Sequence, residues 1–224
     1  MRVPKELELT YFDMEAHPGE KVRLAFVLTG TEFKDNRVKF ADWPALKPTL
    51  KYGQMPRLII DGREVYQSGA MLRWAGRLGD GALYPIDDED MYLKVEEMLN
   101  LSDDMHRAWT PSLYTGMGRH EKFGHPKEWA EKDATVKLLR ETFVANELPL
   151  FMGYLTVHLE QTGAFLCGPK PTIADCQWLP QVRYYAKGIA DHVPTDCLDK
   201  YPAVLAWIKR MHEIPAVKKW YGLD

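Results

Sequence analysis

The sequence predicts a small α/β domain over residues 1–82 followed by an all-α domain over residues 83–224. Two observations carry this division. Strand-period alternation and a hairpin signature are confined to the first eighty or so residues, whereas everything past Pro85 repeats at helical spacing with no convincing strand. The turn-forming run Leu78-Gly79-Asp80-Gly81 and then Tyr84-Pro85 mark where the character changes.

Leu7, Leu9 and Tyr11 alternate with Glu8 and Thr10, the period of a strand with one buried face. Residues 20–29 carry a mostly apolar helix that Gly30 stops, because glycine tolerates the left-handed backbone of a helix end. Arg37 to Phe40 alternates again. Arg57-Leu58-Ile59-Ile60 and Arg63-Glu64-Val65-Tyr66 flank Asp61-Gly62, a pair suited to a two-residue primed turn, and so read as a hairpin. A helix is expected from about Ser68 to Leu78. The order β-α-β, an irregular stretch, then β-β-α suits a small mixed sheet with helices packed on it. In the second domain Met91, Val95, Met98, Ser102 and Met105 form one stripe of a long helix. Residues 129–161 read as another, interrupted near Pro149, and Val204, Trp207, Ile208 and Met211 mark a shorter one. Pro171-Thr172-Ile173-Ala174-Asp175 opens a helix with a capping box.

Composition excludes several classes of function. The 224 residues are 46% hydrophobic and 27% charged, ordinary for a chain that buries a core, and the net charge of -3 calls for neither nucleic acid nor an anionic membrane. No apolar run approaches the roughly 20 residues of a membrane span. Met1 to Glu6 shows no signal-peptide core, so a cytoplasmic location is expected. Cys167, Cys176 and Cys197 are too few and too unevenly spaced for a disulfide framework and read as reduced thiols. Zinc-protease and phosphate-loop motifs are missing, and no metal is expected. His120 and His125, five residues apart in a long connection, read as solvated side chains rather than ligands.

Four short segments of the first domain carry chemistry. Leu9-Thr10-Tyr11-Phe12 ends the first strand with a phenol. Ala41 to Lys47 (A-D-W-P-A-L-K) places an indole donor, Trp43, four residues before a cation, Lys47, a pair suited to a carboxylate. Tyr52 to Leu58 (Y-G-Q-M-P-R-L) precedes the hairpin. Tyr66 to Ala70 (Y-Q-S-G-A) enters the third helix, where backbone N–H groups and the helix dipole favour an anion. Each segment alone also has a plain structural reading as a strand tyrosine, a core indole, a turn or an N-cap. Their order and spacing together resemble the cytosolic glutathione transferases, most closely the tyrosine-using sigma class, and the resemblance covers nearly the whole chain.

The resemblance implies a thioredoxin-like first domain that binds glutathione as co-substrate and a helical second domain that builds the electrophile pocket. Tyr11 would donate its hydroxyl to the glutathione sulfur. A free thiol titrates near pKa 8.5, the thiolate is the nucleophile, and each unit of lowering corresponds to about 1.4 kcal/mol. Trp43 and Lys47 would hold the glycyl end. Gln54 would help hold the peptide, and Met55, before a cis Pro56, would pair its backbone with the cysteinyl residue. Gln67 and Ser68 would receive the γ-glutamyl carboxylate. Asp104, favoured over its neighbour Asp103, would reach the glutathione of a second subunit, which implies a homodimer. The capping box is structural in such proteins, so Thr172 and Asp175 are not site residues.

The chain departs from the sigma pattern after the tyrosine. Met14 to Glu20 is one residue longer and lacks the usual arginine, and Glu15 stands beside the place of a thiolate, which is unfavourable unless it points away. This departure weighs against a prostaglandin-isomerising branch. From position alone, Met14, Arg107, Trp109, Tyr114 and the chain's far end around Trp220 and Tyr221 are expected to line the electrophile pocket, with access shaped by the connection over residues 116–126. The expected reaction is thioether formation with small, largely apolar electrophiles, in detoxification or biosynthesis. A glutathione-dependent isomerase or peroxidase and a non-enzymatic dimeric carrier or scaffold are the rivals. A cysteine-using relative is excluded, because no cysteine lies near the first strand.

Overall fold

The computed structural model describes residues 4–16 and 18–223. Met1 to Val3, part of the leader reading, and His17 of the turn after Tyr11 lie outside the described residues. The first domain comprises β1 (Leu7–Phe12), α1 (Gly19–Leu28), β2 (Lys34–Val38), α2 (Trp43–Leu46), β3 (Arg57–Ile60), β4 (Arg63–Tyr66) and α3 (Ser68–Ala75). The second comprises α4 (Glu89–Gly116), α5 (Lys132–Thr142), α6 (Leu148–Thr162), α7 (Ile173–Ala186), α8 (Pro202–Glu213) and α9 (Pro215–Tyr221).

The sheet runs β2-β1-β3-β4, with β1 parallel to β2 and antiparallel to β3. Asp61 and Gly62 have φ of 48° and 79°, the two positive values that a type I′ hairpin turn demands. The strand expected from Arg37 begins earlier, at Lys34, and Phe40 already lies in a turn of 3₁₀ helix. Lys-Asp-Asn-Arg-Val shows no apolar alternation. Parallel pairing with β1 and the ion pair between Lys34 and Glu8, at 2.9 Å, hold it instead.

Helix α1 is enclosed: it packs on α3 from its own domain and on α7 and α9 from the other. Its first eight residues are all buried, Glu20, Lys21 and Arg23 among them. Buried charge is tolerated only when it is paired and hydrogen-bonded. Lys21 Nζ donates to Gln177 Oε1 at 2.9 Å, and Glu20 and Arg23 pair with each other at 3.2 Å.

In the helical domain α4 begins at an N-cap, Asp88, whose carboxylate accepts from the Met91 N–H. The interruption expected near Pro149 takes the form of a π-turn over Phe143–Glu147. Pro149 offers no N–H to the carbonyl of Ala145 and its ring crowds that carbonyl, so the widening falls upstream of the proline. The capping box of α7 is formed by Thr172 and Asp175. The fully buried Asp175 also accepts from the Leu166 N–H at 3.1 Å and from Trp207 Nε1 at 2.8 Å, which ties α7 to α8. Trp178 Nε1 donates to the carbonyl of Met98 at 2.8 Å and ties α7 to α4. Among the described residues no helix is long and apolar enough to cross a membrane.

Candidate active site

Strand register brings the four sequence segments to one end of the sheet. Tyr11 and Phe12 end β1 and pair with Arg37 and Val38, the last residues of β2, so the chain leaves toward Trp43 and Lys47 at this end. Arg57, the first residue of β3, opposes both Thr10 and Tyr66. The Gln54-Met55-Pro56 segment therefore arrives, and Gln67-Ser68 departs, at the same end of the sheet as Tyr11.

Tyr11 is buried, 5% exposed, with its ring against the first turn of α1. A Cβ added to Gly19 would lie 2.1 Å from Tyr11 Cδ1, so only glycine lets the helix approach this closely. The phenol pKa is raised, chiefly by burial and further by Glu20, against the opposing influence of Arg23 and the Gly19 N–H. A phenol whose pKa is raised keeps its proton at neutral pH and is suited to donate it in a hydrogen bond. Arg23 secures the strand end: NH1 donates to the Met14 carbonyl at 2.9 Å, NH2 to that of Phe12 at 3.1 Å, and Nε to Asp35 at 2.9 Å.

Aromatic contacts draw in the segment after β2. Phe12 stacks on Phe40 at 4.5 Å and meets Trp43 edge-on at 5.4 Å. Trp43 is half-buried and Lys47 exposed, its stem running beside Gly53, one residue before the exposed Gln54. The peptide bond between Met55 and Pro56 is cis. Tyr66 steadies this region, its hydroxyl accepting from the Lys51 N–H and donating to Glu64.

Gln67 is exposed and adopts φ 71°, ψ 106°, a conformation that costs a non-glycine residue on the order of 1–3 kcal/mol and occurs at ligand clamps. It precedes α3 without capping it through its side chain, which leaves the first turn of the helix, with Ser68, open to an incoming carboxylate.

Asp103 and Asp104 separate clearly. Asp103 accepts from Gln177 Nε2 at 3.0 Å and belongs to the packing between α4 and α7. Asp104 is exposed and pairs with Arg107 one helical turn on. Glu15 is engaged by the helical domain: its carboxylate reaches Lys187 at 2.5 Å and Arg183 at 3.5 Å at the end of α7.

The residues expected at the electrophile pocket are dispersed. Met14 is half-buried in the turn after β1. Arg107 is exposed and turned to Asp104. Tyr114 faces the connection after α4, with Arg119 and Lys122 over its ring at 5.6 and 5.3 Å. Tyr221 is half-buried on α9 beneath the Arg183 guanidinium, 3.9 Å above its ring. Trp109 is not a lining residue. It is 2% exposed and enclosed by Phe143, Tyr184 and Tyr185, because its place on α4 faces α7 and the π-turn. The histidines differ from expectation as well. His120 is buried, and Nε2 lies 3.1 and 3.2 Å from the carbonyls of Pro126 and Lys127, to which it can only donate. His125 stacks on Trp129 at 3.7 Å. Among the described residues no group of three or more His, Cys, Asp or Glu side chains could hold a metal.

Sequence reasoning missed Arg23 and Glu20, which lie around the Tyr11 strand end, and expected Trp220 at the electrophile pocket, whereas its indole N–H is directed to Glu20. Charges in the first turn of a helix ordinarily read as a solvated face, and nothing local signals that a second domain covers them.

Comparison with known proteins places this geometry in context. Residues 7–77 match the model of the N-terminal domain of glutathione S-transferase and residues 119–222 that of its C-terminal domain. Glutathione S-transferase 1 of Ascaris suum is 28% identical over 216 residues, covering 96% of this chain and 95% of its own. The structure of prostaglandin synthase D of Nilaparvata lugens superposes with a TM-score of 0.80 at 25% identity, covering 97% of each chain. A monomeric glutathione S-transferase of Necator americanus gives 0.71 at 25% identity, covering 98% of this chain and 97% of that one. With a thioredoxin-like sheet domain, a helical second domain and both halves matched in order, the chain belongs to the glutathione S-transferase family, enzymes that use glutathione as co-substrate.

Proposed function

We propose that this transferase activates glutathione through the Tyr11 hydroxyl and joins the resulting thiolate to small, largely apolar electrophiles. The carrying observation is the strand register, which gathers Tyr11, the Trp43–Lys47 segment, Met55 and Gln67 at one end of the sheet. In this reading residues 1–82 bind glutathione. Trp43 and Lys47 take the glycyl carboxylate, Gln54 and the backbone of Met55 before Pro56 take the peptide, and Gln67 and Ser68 take the γ-glutamyl carboxylate. Residues 83–224 supply the electrophile pocket, with Met14 contributed from the first domain and Tyr221 from the last helix. The protein contributes thiolate stabilisation and proximity, and no covalent link to the enzyme forms.

The sigma class, a cytoplasmic location and a homodimer complete the proposal. Exposure of Asp104, with Asp103 held by Gln177, supports Asp104 as the side chain that meets a second subunit's glutathione. Glutathione-dependent isomerisation is the second reading, favoured by the similarity to a prostaglandin synthase.

The test compares wild type with Tyr11→Phe. Glutathione binding, the ultraviolet absorbance of the bound thiolate across pH and conjugation of a generic aryl halide are followed. The bound thiol's pKa is expected to rise by about one unit or more, slowing conjugation about tenfold, while binding persists. Identical titrations in the two proteins would place the activating group elsewhere.

A further inference from the structure

The last helix, α9, reaches back to the first domain through the indole of Trp220. Trp220 Nε1 donates to Glu20 Oε1 at 2.7 Å, and Glu20 has no exposed surface. The other oxygen of Glu20 accepts from Arg23 NH1 at 3.2 Å. Arg23, also fully buried, uses the same NH1 for the Met14 carbonyl, NH2 for the Phe12 carbonyl and Nε for Asp35. A continuous chain of hydrogen bonds thus runs from the indole of Trp220 to the backbone on the C-terminal side of Tyr11. Gly19, which seats the Tyr11 ring, is the residue immediately before Glu20.

We propose that Trp220 is a positioning residue for the Tyr11 phenol, acting through Glu20 and Arg23, so that α9 belongs to the thiol-activating apparatus. The inference rests on Tyr11 being the thiol's donor. Its physical basis is the geometry of the guanidinium, a planar fork whose donors cannot be re-aimed independently. With the indole N–H present, each oxygen of the buried carboxylate has its own donor. Without it, Oε1 loses that donor in a site closed to water, where an unsatisfied charge is costly. Glu20 then turns toward Arg23 for a second bond. The fork rotates, the Phe12 and Met14 carbonyls lose their donors, and the strand end carrying Tyr11 relaxes. The neighbouring Tyr221 hydroxyl is buried without a hydrogen-bond partner among the described residues and feels the Glu20 charge, so it is the group that would compensate.

The experiment uses Trp220→Phe in a Tyr221→Phe background, compared with Tyr221→Phe alone. It keeps an aromatic ring against Phe33 and under Arg37, which the indole meets at 6.0 and 5.5 Å, and removes both donors. The pKa of bound glutathione is expected to rise by about half a unit or more, lowering kcat at about pH 6.5 roughly threefold, with KM for glutathione unchanged. Should the double variant not fold, Trp220→Phe in the otherwise native chain is measured in its place and is expected to raise the thiol pKa in the same direction, by less. A titration identical to that of Tyr221→Phe, accompanied only by lower thermal stability, would reduce Trp220 to a structural role and overturn the proposal. Tyr11→Phe is measured alongside. If it alone shifts the thiol, the inference about Trp220 fails by itself, and if neither shifts, the reading of Tyr11 fails with it.

Discussion

The carboxylate of Glu15 lies 2.5 Å from the ammonium of Lys187, and so the turn that follows Tyr11 is clasped to the end of α7. Arg183 adds a second cation at 3.5 Å. The acidic residue of this turn is therefore neutralised by the helical domain, which sets two cations against its one carboxylate.

Burial alone would raise the Glu15 pKa, but Lys187 and Arg183 outweigh it and hold it below the usual carboxylate value. A depressed carboxylate stabilises the fold above its unfolded pKa and loses that contribution as pH falls through the folded value, here below the reference of 4.5. The pair is partly exposed, so Glu15→Gln is expected to cost about 1 kcal/mol or less in a denaturant titration. Its larger effect should be on the second substrate. At neutral pH, salt of about 0.5 M is expected to change KM for the electrophile in wild type, because exposed charge pairs are screened. Glu15→Gln should lose that dependence, and an equal salt response in both proteins would separate the clasp from substrate binding.

Gly19→Ala is expected to be a kinetic lesion. Alanine is the better helix former by roughly 0.5–1 kcal/mol, so propensity alone predicts a more stable protein. The added Cβ must instead displace the Tyr11 ring, which stands 2.1 Å from its position. A fall in kcat of about tenfold or more, with an unchanged far-ultraviolet circular dichroism spectrum, is the expected result. Unaltered kcat would mean that the ring yields without consequence.

His212 predicts loss of stability on acidification. Burial, with help from Arg183 and Lys187 and against the opposing pull of Glu15, lowers its pKa from 6.5 to about 4. The folded imidazole stays neutral while the unfolded one takes up a proton, so stability falls as pH drops from 6.5 toward 4. His106, also lowered by burial, acts in the same direction. Urea midpoints at about pH 7 and pH 5 should differ less in His212→Phe than in wild type. Equal differences would show that the ring is already charged in the folded state.

The three cysteines should be inert toward alkylation. Burial pushes Cys167 up to about 12 and Cys197 up to about 11, and raises Cys176, which is fully enclosed, well above its usual value. Reactivity follows the thiolate and its access, and both are suppressed here. Treatment with iodoacetamide at about pH 8 is expected to leave activity intact, and urea should expose all three thiols together. Rapid inactivation of the folded protein would contradict this.

Much of the architecture was legible because local rules and tertiary demands agree. Asp61-Gly62 supplies the two positive φ angles of its turn, and Thr172 with Asp175 forms the capping box written in its spacing. β2 was displaced in the reading because Lys34 to Val38 is polar, and its strand character comes from pairing with β1. The site segments were visible as motifs, but their supports were not. Lys21 is satisfied by Gln177 and Glu20 by Trp220, partners far along the chain that no periodicity reveals. His120 and Trp109 illustrate the same limit: a loop histidine became buried and an expected pocket ring became core through contacts made by distant elements.

The enclosure of α1 has a consequence for how the chain is made. Synthesis runs from the N-terminus, so α1 emerges from the ribosome long before Gln177 and Trp220 exist. Until then its polar side chains lack their final donors and acceptors, and its apolar face toward α7 and α9 stands open. The nascent first domain must therefore wait, hydrated and incompletely closed, for nearly the whole polypeptide to be translated. The strand end bearing Tyr11 settles only when the final helix docks.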